Sequence, residues 1–412
     1  MPCANFANSR NERAYAQIEA TYGIVPNTAG TATVGNNNCF RFQKFDFSND
    51  VALIERSDKT GSRSAPIGTR GRSQVRDWNL SLTNAPNGVA GVAPDFDALM
   101  QMTFGQAGTA LSGTATVTAA SNATPIVITA TNTFAAGDLV FISGVTGNTA
   151  ANGLWQISAV SGSAFTLVGS VGNAAYVSGG TASKVGYKYG FTDSILSGSL
   201  WSFRTPTTVD QTVMHGSVVS GARFEFGGDE ALITFRGQGQ WALKSNQFSV
   251  ADLTQKGGLT TFPTEPSAPV TNGTTIAGFT GYFMAAGTVL GTIQRGVVDI
   301  ETGNQLITDN FGSYYPFCTQ GDVRRVSLDF SCYEDDSTAW TNLITAAESK
   351  TPIQIVLVQG TASGSICAQV INNVQLATPR REENLRFLGN FQGSMAHATT
   401  LLTKDEIVTY FF

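Results

Sequence analysis

VRDWNLSL, from Val75 to Leu82, returns 248 residues later as VRRVSLDF, from Val323 to Phe330. Both copies alternate apolar and polar residues, the pattern of a strand with one face in a core and the other outside it. The match extends upstream, where FDFSNDVALI (Phe45 to Ile54) lines up with VDIETGNQLI (Val298 to Ile307) at an offset of 253, Asp46 falling on Asp299 and Leu53-Ile54 on Leu306-Ile307. Downstream, each copy carries a short helical pattern, PDFDALMQMTF from Pro94 and DDSTAWTNLITAAESK from Asp335. Asp95 and Asp336 are the expected caps of these helices. A fourth match sets FRGQGQWA from Phe235 on GNFQGSMA from Gly389, with Gln238-Gly239 on Gln392-Gly393 at an offset of only 154. Four matches in one order predict a duplicated β unit whose first copy is enlarged between its helix and its last strand.

The source of the extra length is visible. Residues 110–184 are almost uncharged, with Asp138 the only acid, and read as short strands (PIVITA, DLVFISGV, GLWQISAV, AFTLVG) between Gly and Asn turns. This predicts a small all-β module set into a loop, an arrangement that loop-closure entropy tolerates. It resembles the small β-barrel modules of many phage structural proteins and is similar to the first catalytic cysteine half-domain of ubiquitin-activating enzymes, though it contains no cysteine. The expected organisation is a discontinuous first unit (1–109 and 185–247), the module (110–184), a linker (248–284) and a second unit (285–412). Pro263, Pro266 and Pro269 at a spacing of three predict an extended linker.

Composition excludes several classes of function. Only 13% of the 412 residues are charged, about half the usual 25%, so a large part of the surface is expected to be covered by other copies of the chain. A net charge of -5 argues against gripping nucleic acid by neutralising phosphates. No apolar run is long enough for a membrane helix, and MPCANFANSRNERAYAQ has no signal-peptide core, so a cytoplasmic product is expected. Five cysteines without a C-x-x-C read as reduced and structural.

Catalytic constellations are missing. Two histidines, His215 and His397, both in strand-like settings, rule out a three-histidine metal site, and the nucleophile-elbow, phosphate-loop and zincin motifs are absent. Asp229-Glu230, Glu334-Asp335-Asp336 and Glu382-Glu383 fall where turns and a helix start are expected, which explains them without glycosidase chemistry. No catalytic residue, cofactor or metal is expected.

One charged run stands out. ERSDKTGSRSAPIGTRGRSQVR, Glu55 to Arg76, contains Arg56, Lys59, Arg63, Arg70 and Arg72 without the interleaved aromatics of a nucleic-acid binder. It reads as a solvated loop or as an arm that orders on an acidic neighbouring subunit. The same place in the second copy is TDNFGSYYPFCTQGD, with Tyr314, Tyr315 and Phe317. Two such loops predict two docking surfaces.

Taken together, EATYG (Glu19 to Gly23), the strand and long loop leading into GRSQVRDWNLSLTN, the helix after it and the repetition of that unit resemble the tail tube proteins of long-tailed, non-contractile bacteriophages. The resemblance covers roughly residues 14–108, 186–247 and 290–412. It implies a mainly β fold of two tandem tail-tube-type β-sandwich or half-barrel units, each with a short flanking helix, plus the inserted small all-β domain on the outside. It further implies stacked rings, trimeric and pseudo-hexameric, around a lumen that conducts DNA without binding it specifically. The implied partners are other copies of the chain, a tail-tip initiator, a terminator and a tape measure in the lumen; the implied location is the virion tail. Arg56, Lys59, Arg63, Arg70, Arg72, Tyr314, Tyr315 and Phe317 would form inter-ring stacking arms. A β-rich decoration or adhesin protein of a virion is the alternative. On this reading, deleting residues 110–184 leaves assembly intact, and reversing Arg63, Arg70 and Arg72 weakens stacking.

Overall fold

The computed structural model describes residues 9–59, 61–64, 66–204, 211–266, 273–383, 386–400 and 402–412. It is mainly β. In chain order the first stretch gives β1 (Glu12–Ile18), the small hairpin β2 (Asn27–Thr28) and β3 (Thr31–Ala32), β4 (Cys39–Phe40), the long strands β5 (Lys44–Ile54) and β6 (Thr69–Thr83), helix α1 (Asp97–Phe104) and the short β7 (Thr109–Leu111). A separate run follows: β8 (Thr114–Thr116), β9 (Ala119–Ala120), β10 (Val127–Thr129), β11 (Leu139–Ser143), β12 (Gly153–Ser161), β13 (Ala164–Leu167) and β14 (Thr181–Ser183). The chain returns through β15 (Gly186–Gly190), β16 (Gly198–Arg204), β17 (Thr212–Phe226), β18 (Leu232–Gly239) and β19 (Trp241–Lys244). The last third contains β20 (Gly281–Ala285), β21 (Thr288–Leu290), β22 (Ile293–Glu301), β23 (Asn304–Ile307), β24 (Cys318–Gly321), β25 (Arg325–Tyr333), α2 (Thr338–Ser349), β26 (Ile353–Gln359), β27 (Cys367–Val374), β28 (Arg380–Glu383), β29 (Phe387–Ala396) and β30 (Ile407–Phe411).

Hydrogen bonding links twelve strands into one network that branches at β17. The first half of β17 pairs with β16 and β19, and its second half with β18 and β22. Gly216, at φ 61°, turns the strand between the two sheets. One branch is a continuous antiparallel sheet in the order β5-β6-β18-β17-β22-β25-β29-β28. The other, β4-β1-β16-β17-β19, lies over its first half. A seven-stranded sheet, β21-β20-β26-β27-β30-β15-β7, lies over its second half.

Alternation puts one face of the long sheet into the core. Trp78, Leu80 and Leu82 of β6, Phe235 of β18, Val298 and Ile300 of β22, Leu328 of β25 and Phe391 of β29 share a single apolar cluster with Leu99 and Met102 of α1 and Leu343 of α2. The two runs β5-β6-β18-β17 and β22-β25-β29-β28 follow the same order. Their registers also agree: Asp46 lies opposite Asn79 and Asp299 opposite Ser327, as the sequence offsets require. The last match needs correction. Trp78 and Val326, which are counterparts, pair with Gly237 and Ala396, so these strands correspond at an offset near 159 rather than 154, and Gln238-Gly239 does not sit on Gln392-Gly393.

The expected boundaries shift in three places. β7 pairs with β15, Leu111 opposite Gly186, so Ala110 and Leu111 belong to the seven-stranded sheet and the module spans about 112–185. β15 pairs with β30, so a piece assigned to the first unit completes the sheet of the second. β20 begins at Gly281, inside the expected linker. Parts of that linker pack on the first unit: Leu259 is buried, Val25 donates to the Gly257 carbonyl at 2.9 Å, and Ala231 donates to the Ile276 carbonyl at 3.1 Å. Pro269 lies outside the described residues.

The module has its own core of Val140, Ile142, Ile157, Phe165 and Leu167. It is also attached. Leu139 and Leu154 join Met284, Val356, Val358, Val370 and Phe412 of the second unit's outer sheet in a further buried cluster. Tyr282 stacks on Trp155 at 5.8 Å and donates its hydroxyl to the Leu154 carbonyl at 2.7 Å. On the first unit the equivalent outer face, with Trp201, Phe203 and Leu243, is covered by the chain's own segments, among them Val25 and Leu259.

Neither expected aspartate caps its helix. Phe96 occupies the N-cap of α1 without a side-chain bond, and Asp95 faces Arg41 at 3.7 Å instead. Ser337 caps α2, accepting from the Trp340 amide, and Asp335 steadies that serine.

Candidate functional site

The face of the long sheet turned away from the core is polar across both halves. Going from strand to strand it presents Asp46 of β5, Asn79 and Ser81 of β6, Thr234, Arg236 and Gln238 of β18, Arg223 and Glu225 of β17, Asp299 and Glu301 of β22, Ser327 and Asp329 of β25, and Asn390 and Gln392 of β29. Charges of opposite sign are interleaved. Arg236 lies 2.9 Å from Asp299 and 3.8 Å from Glu301, Arg223 is 3.0 Å from Glu225, Arg76 is 2.9 Å from Asp50, and Lys44 pairs with Asp46. Such exposed pairs add little stability. Their effect is on the field: fixed cations next to fixed anions give a polyanion no continuous basic track. A cavity of 690 Å³ opens on this face where the halves join, lined by Arg223, Glu225, Arg295, Val297, Asp329 and Gln392 among others.

The sheet ends in two open edges. Among the described residues β5 pairs only with β6, and β28 only with β29. Glu382-Glu383, expected in a turn, therefore lie on an edge strand.

The charged run divides in two. Arg56, Lys59 and Arg63 are exposed in the connection between β5 and β6, Arg56 pairing with Asp58. Arg70 and Arg72 lie on β6 itself. Around the connection, Leu53, Ile54 and Ile67 are exposed. The corresponding part of the second copy behaves differently. Thr302 donates to the Val219 carbonyl, Gly303 adopts φ 71°, and the hairpin β23–β24 leaves the line of the sheet and folds back on the first unit. There the Ser73 amide donates to the Tyr314 carbonyl at 2.7 Å and Gln240 donates to the Pro316 carbonyl at 2.6 Å. Arg70 donates to the Tyr315 hydroxyl at 2.9 Å, stands over the Tyr314 ring, and Tyr315 donates to Asp252 at 3.0 Å.

Arg70 and Tyr315, expected on two separate docking surfaces, are thus partners within one chain. The basic strand and the aromatic loop meet inside one chain, and Tyr315, only 4% exposed, is packed edge-on against Trp241. Burial pushes its hydroxyl pKa up. What stays exposed in the aromatic loop is Phe311, Tyr314 and Phe317.

Glu19 is the only charged residue in AYAQIEATYGIV, residues 14–25. It is buried at the end of β1, where its carboxylate accepts from Ser199 (2.6 Å), Ser197 (2.8 Å), the Gly216 amide (2.8 Å) and the Gly23 amide (2.9 Å). One side chain thus ties β1, β16, the bend of β17 and the EATYG turn together.

Of the two histidines, His397 is exposed just past β29. His215 is fully buried in β17, with Nε2 3.0 Å from the Gln255 carbonyl. Burial lowers its pKa from 6.5 to about 4. The neutral ring is therefore the native form, while the unfolded chain takes up a proton below its ordinary value. Stability from this group is present above pH 6.5 and is lost as pH falls toward about 4. The loss should be about 3 kcal/mol at 1.36 kcal/mol per pKa unit. Urea titrations at pH 7.5 and 4 should show that extra loss in the wild type and not in His215→Gln; equal pH dependence would contradict it.

Burial pushes the thiols of Cys39 up to about 11 and of Cys332 and Cys367 up to about 12, which removes them as nucleophiles near neutral pH. Among the described residues no three metal-ligating side chains come together, and no helix is long and apolar enough to cross a membrane. No protein-family model matches the chain, and no curated protein is significantly similar to it.

Proposed function

We propose that this chain is a structural virion protein, the major tail tube subunit of a long-tailed phage, forming rings of three chains that stack around a DNA-conducting lumen. The observation that carries the reading is the β17–β22 junction. There two four-stranded runs of the same order join edge to edge, and the joined sheet still offers one open edge of each kind, β28 and β5. A junction that repeats between chains with the same rotation closes into a ring and leaves no exposed edge. The polar face, with its arginines next to carboxylates, would line the lumen, where it would let DNA pass without holding it. The exposed connection between β5 and β6, with Arg56, Lys59, Arg63, Leu53, Ile54 and Ile67, would reach the adjacent ring.

Light scattering on purified, untagged protein, with negative-stain micrographs of the same sample, tests this. Tubes, or rings with a sixfold outline, are the expected result. A chain that stays monomeric at all concentrations, and also when mixed with tail-tip proteins, would overturn it in favour of a decoration or adhesin role.

A further inference from the structure

The exposed connection between β5 and β6 has a complement at the other end of the same sheet. The connection joins Ile54 to Thr69, which are partners in the ladder. From there β6 runs fifteen residues to Thr83, opposite Leu232 of β18, which in turn lies opposite Glu225 of β17. At about 3.3 Å per residue the two ends of β6 are roughly 45 Å apart, so the two ends of the sheet do not meet within a chain. At the far end opens an apolar groove of about 300 Å³, lined by Phe226, Phe279, Phe283, Val289, Leu290 and Ile293. Phe279 on its rim is 74% exposed. The turn between β17 and β18 borders this groove: the Gly227 amide donates to the Gly278 carbonyl at 2.8 Å, and the Gly278 amide to the Asp229 carbonyl at 3.2 Å. That turn exposes two carboxylates, Asp229 and Glu230. At the near end Ile67 is 90% exposed and Leu53 and Ile54 are more than half exposed. The same connection carries Arg56, Lys59 and Arg63 against Glu55 and Asp58.

We infer that the groove receives the β5–β6 connection of a second copy, with Ile67 seated among the aromatic rings and Arg56 and Lys59 against Asp229 and Glu230. The inference rests on the tube reading for its occupant and adds to it the surface on which the connection lands. Exposed apolar side chains rimmed by charge mark such contacts. Complementary surfaces at opposite ends of one chain are joined only between copies, and a contact of unlike surfaces that repeats in one direction builds a filament instead of a closed pair. Charge fixes which end meets which. Two basic ends repel, as do two acidic ends, so the copies stack with one polarity.

A charge exchange tests the contact, since all four charged residues are exposed. Arg56→Glu/Lys59→Glu should lower the number of tubes in negative stain at least about tenfold and leave rings, because like charges then face each other. Adding Asp229→Lys/Glu230→Lys to that variant should restore the tubes. Mild oxidation of Ile67→Cys/Phe279→Cys, at positions the contact brings together, should link chains into ladders that neither single cysteine variant gives. Charge reversal without effect on the tubes, or no recovery in the fourfold variant together with no ladder, overturns the contact, and wild-type tubes then leave the tube reading standing. Ladders from protein that forms no tubes would support the contact and count against the tube. Neither ladders nor tubes would remove both.

Discussion

Deleting residues 112–185 and joining Leu111 to Gly186 through a short glycine–serine turn is expected to give aggregated protein rather than a smaller assembling chain. The turn itself is feasible, because Leu111 and Gly186 are already partners in a ladder. What fails is the surface left behind. The module covers Met284, Val356, Val358, Val370 and Phe412, all nearly inaccessible in the intact chain, together with the stacked ring of Tyr282. At about 1.5–3 kcal/mol for each large side chain returned to water, uncovering even three of them costs on the order of 5 kcal/mol, comparable to the total stability of a typical domain. A contiguous apolar patch of that size also promotes association. Solubility and sedimentation of the deletion variant read this directly. A second deletion that also carries Val356→Thr and Val358→Thr, both outward on β26, should recover part of the soluble fraction. A soluble deletion variant that assembles normally would show that the contact is incidental, as the sequence alone suggests.

The second large effect is expected at Glu19. Glu19→Ala removes the acceptor for two serine hydroxyls and two backbone amides, all buried. Each orphaned donor costs about 1–3 kcal/mol, so a loss of about 4 kcal/mol or more is expected, seen as a lower denaturation midpoint with an unchanged slope. Glu19→Gln should fall between, since it keeps one acceptor and turns an amide group against the donors. A loss below about 1 kcal/mol for the alanine variant would mean that water replaces the carboxylate, which the enclosed position argues against. Burial raises the pKa of this carboxyl, against the pull of its four donors.

Much of the fold is written in local pattern. The alternation in VRDWNLSL and VRRVSLDF places their strands and sets which side is core, and the Asp46–Asp299 match reproduces the observed ladder register. The Gln-Gly match fails because a dipeptide is too short to fix a strand, and β29 bulges between Phe391 and Ser394, opposite Phe330 and Leu328 of β25. Module docking was missed, yet a signal for it exists. In DLVFIS, Leu139, Val140, Phe141 and Ile142 are consecutive and apolar, which is the mark of a strand covered on both faces; Val140 and Ile142 enter the module core while Leu139 enters the shared cluster. IQIVLVQG on β26 has the same character, since Val356 and Val358 point one way and Ile355 and Leu357 the other. The meeting of Arg70 with Tyr314 and Tyr315 could not be read at all. It depends on the bend at Gly303, and a glycine in a turn does not announce which way the chain goes.

β17 runs unbroken for fifteen residues through both sheets, whereas the same course in the second half is split into β27 and β28 with Pro379 in the gap. Proline has no amide hydrogen to contribute to a ladder, so this interruption is built into the chain. The seam within a chain is thus backed by a continuous strand, whereas the seam that the proposed ring requires between chains would be backed by a short strand beyond the break. A ring made of such chains would not bend evenly around its circumference. Under load it would yield at three compliant seams and hold at the three stiff ones, giving the tube a threefold pattern of elasticity beneath its sixfold outline.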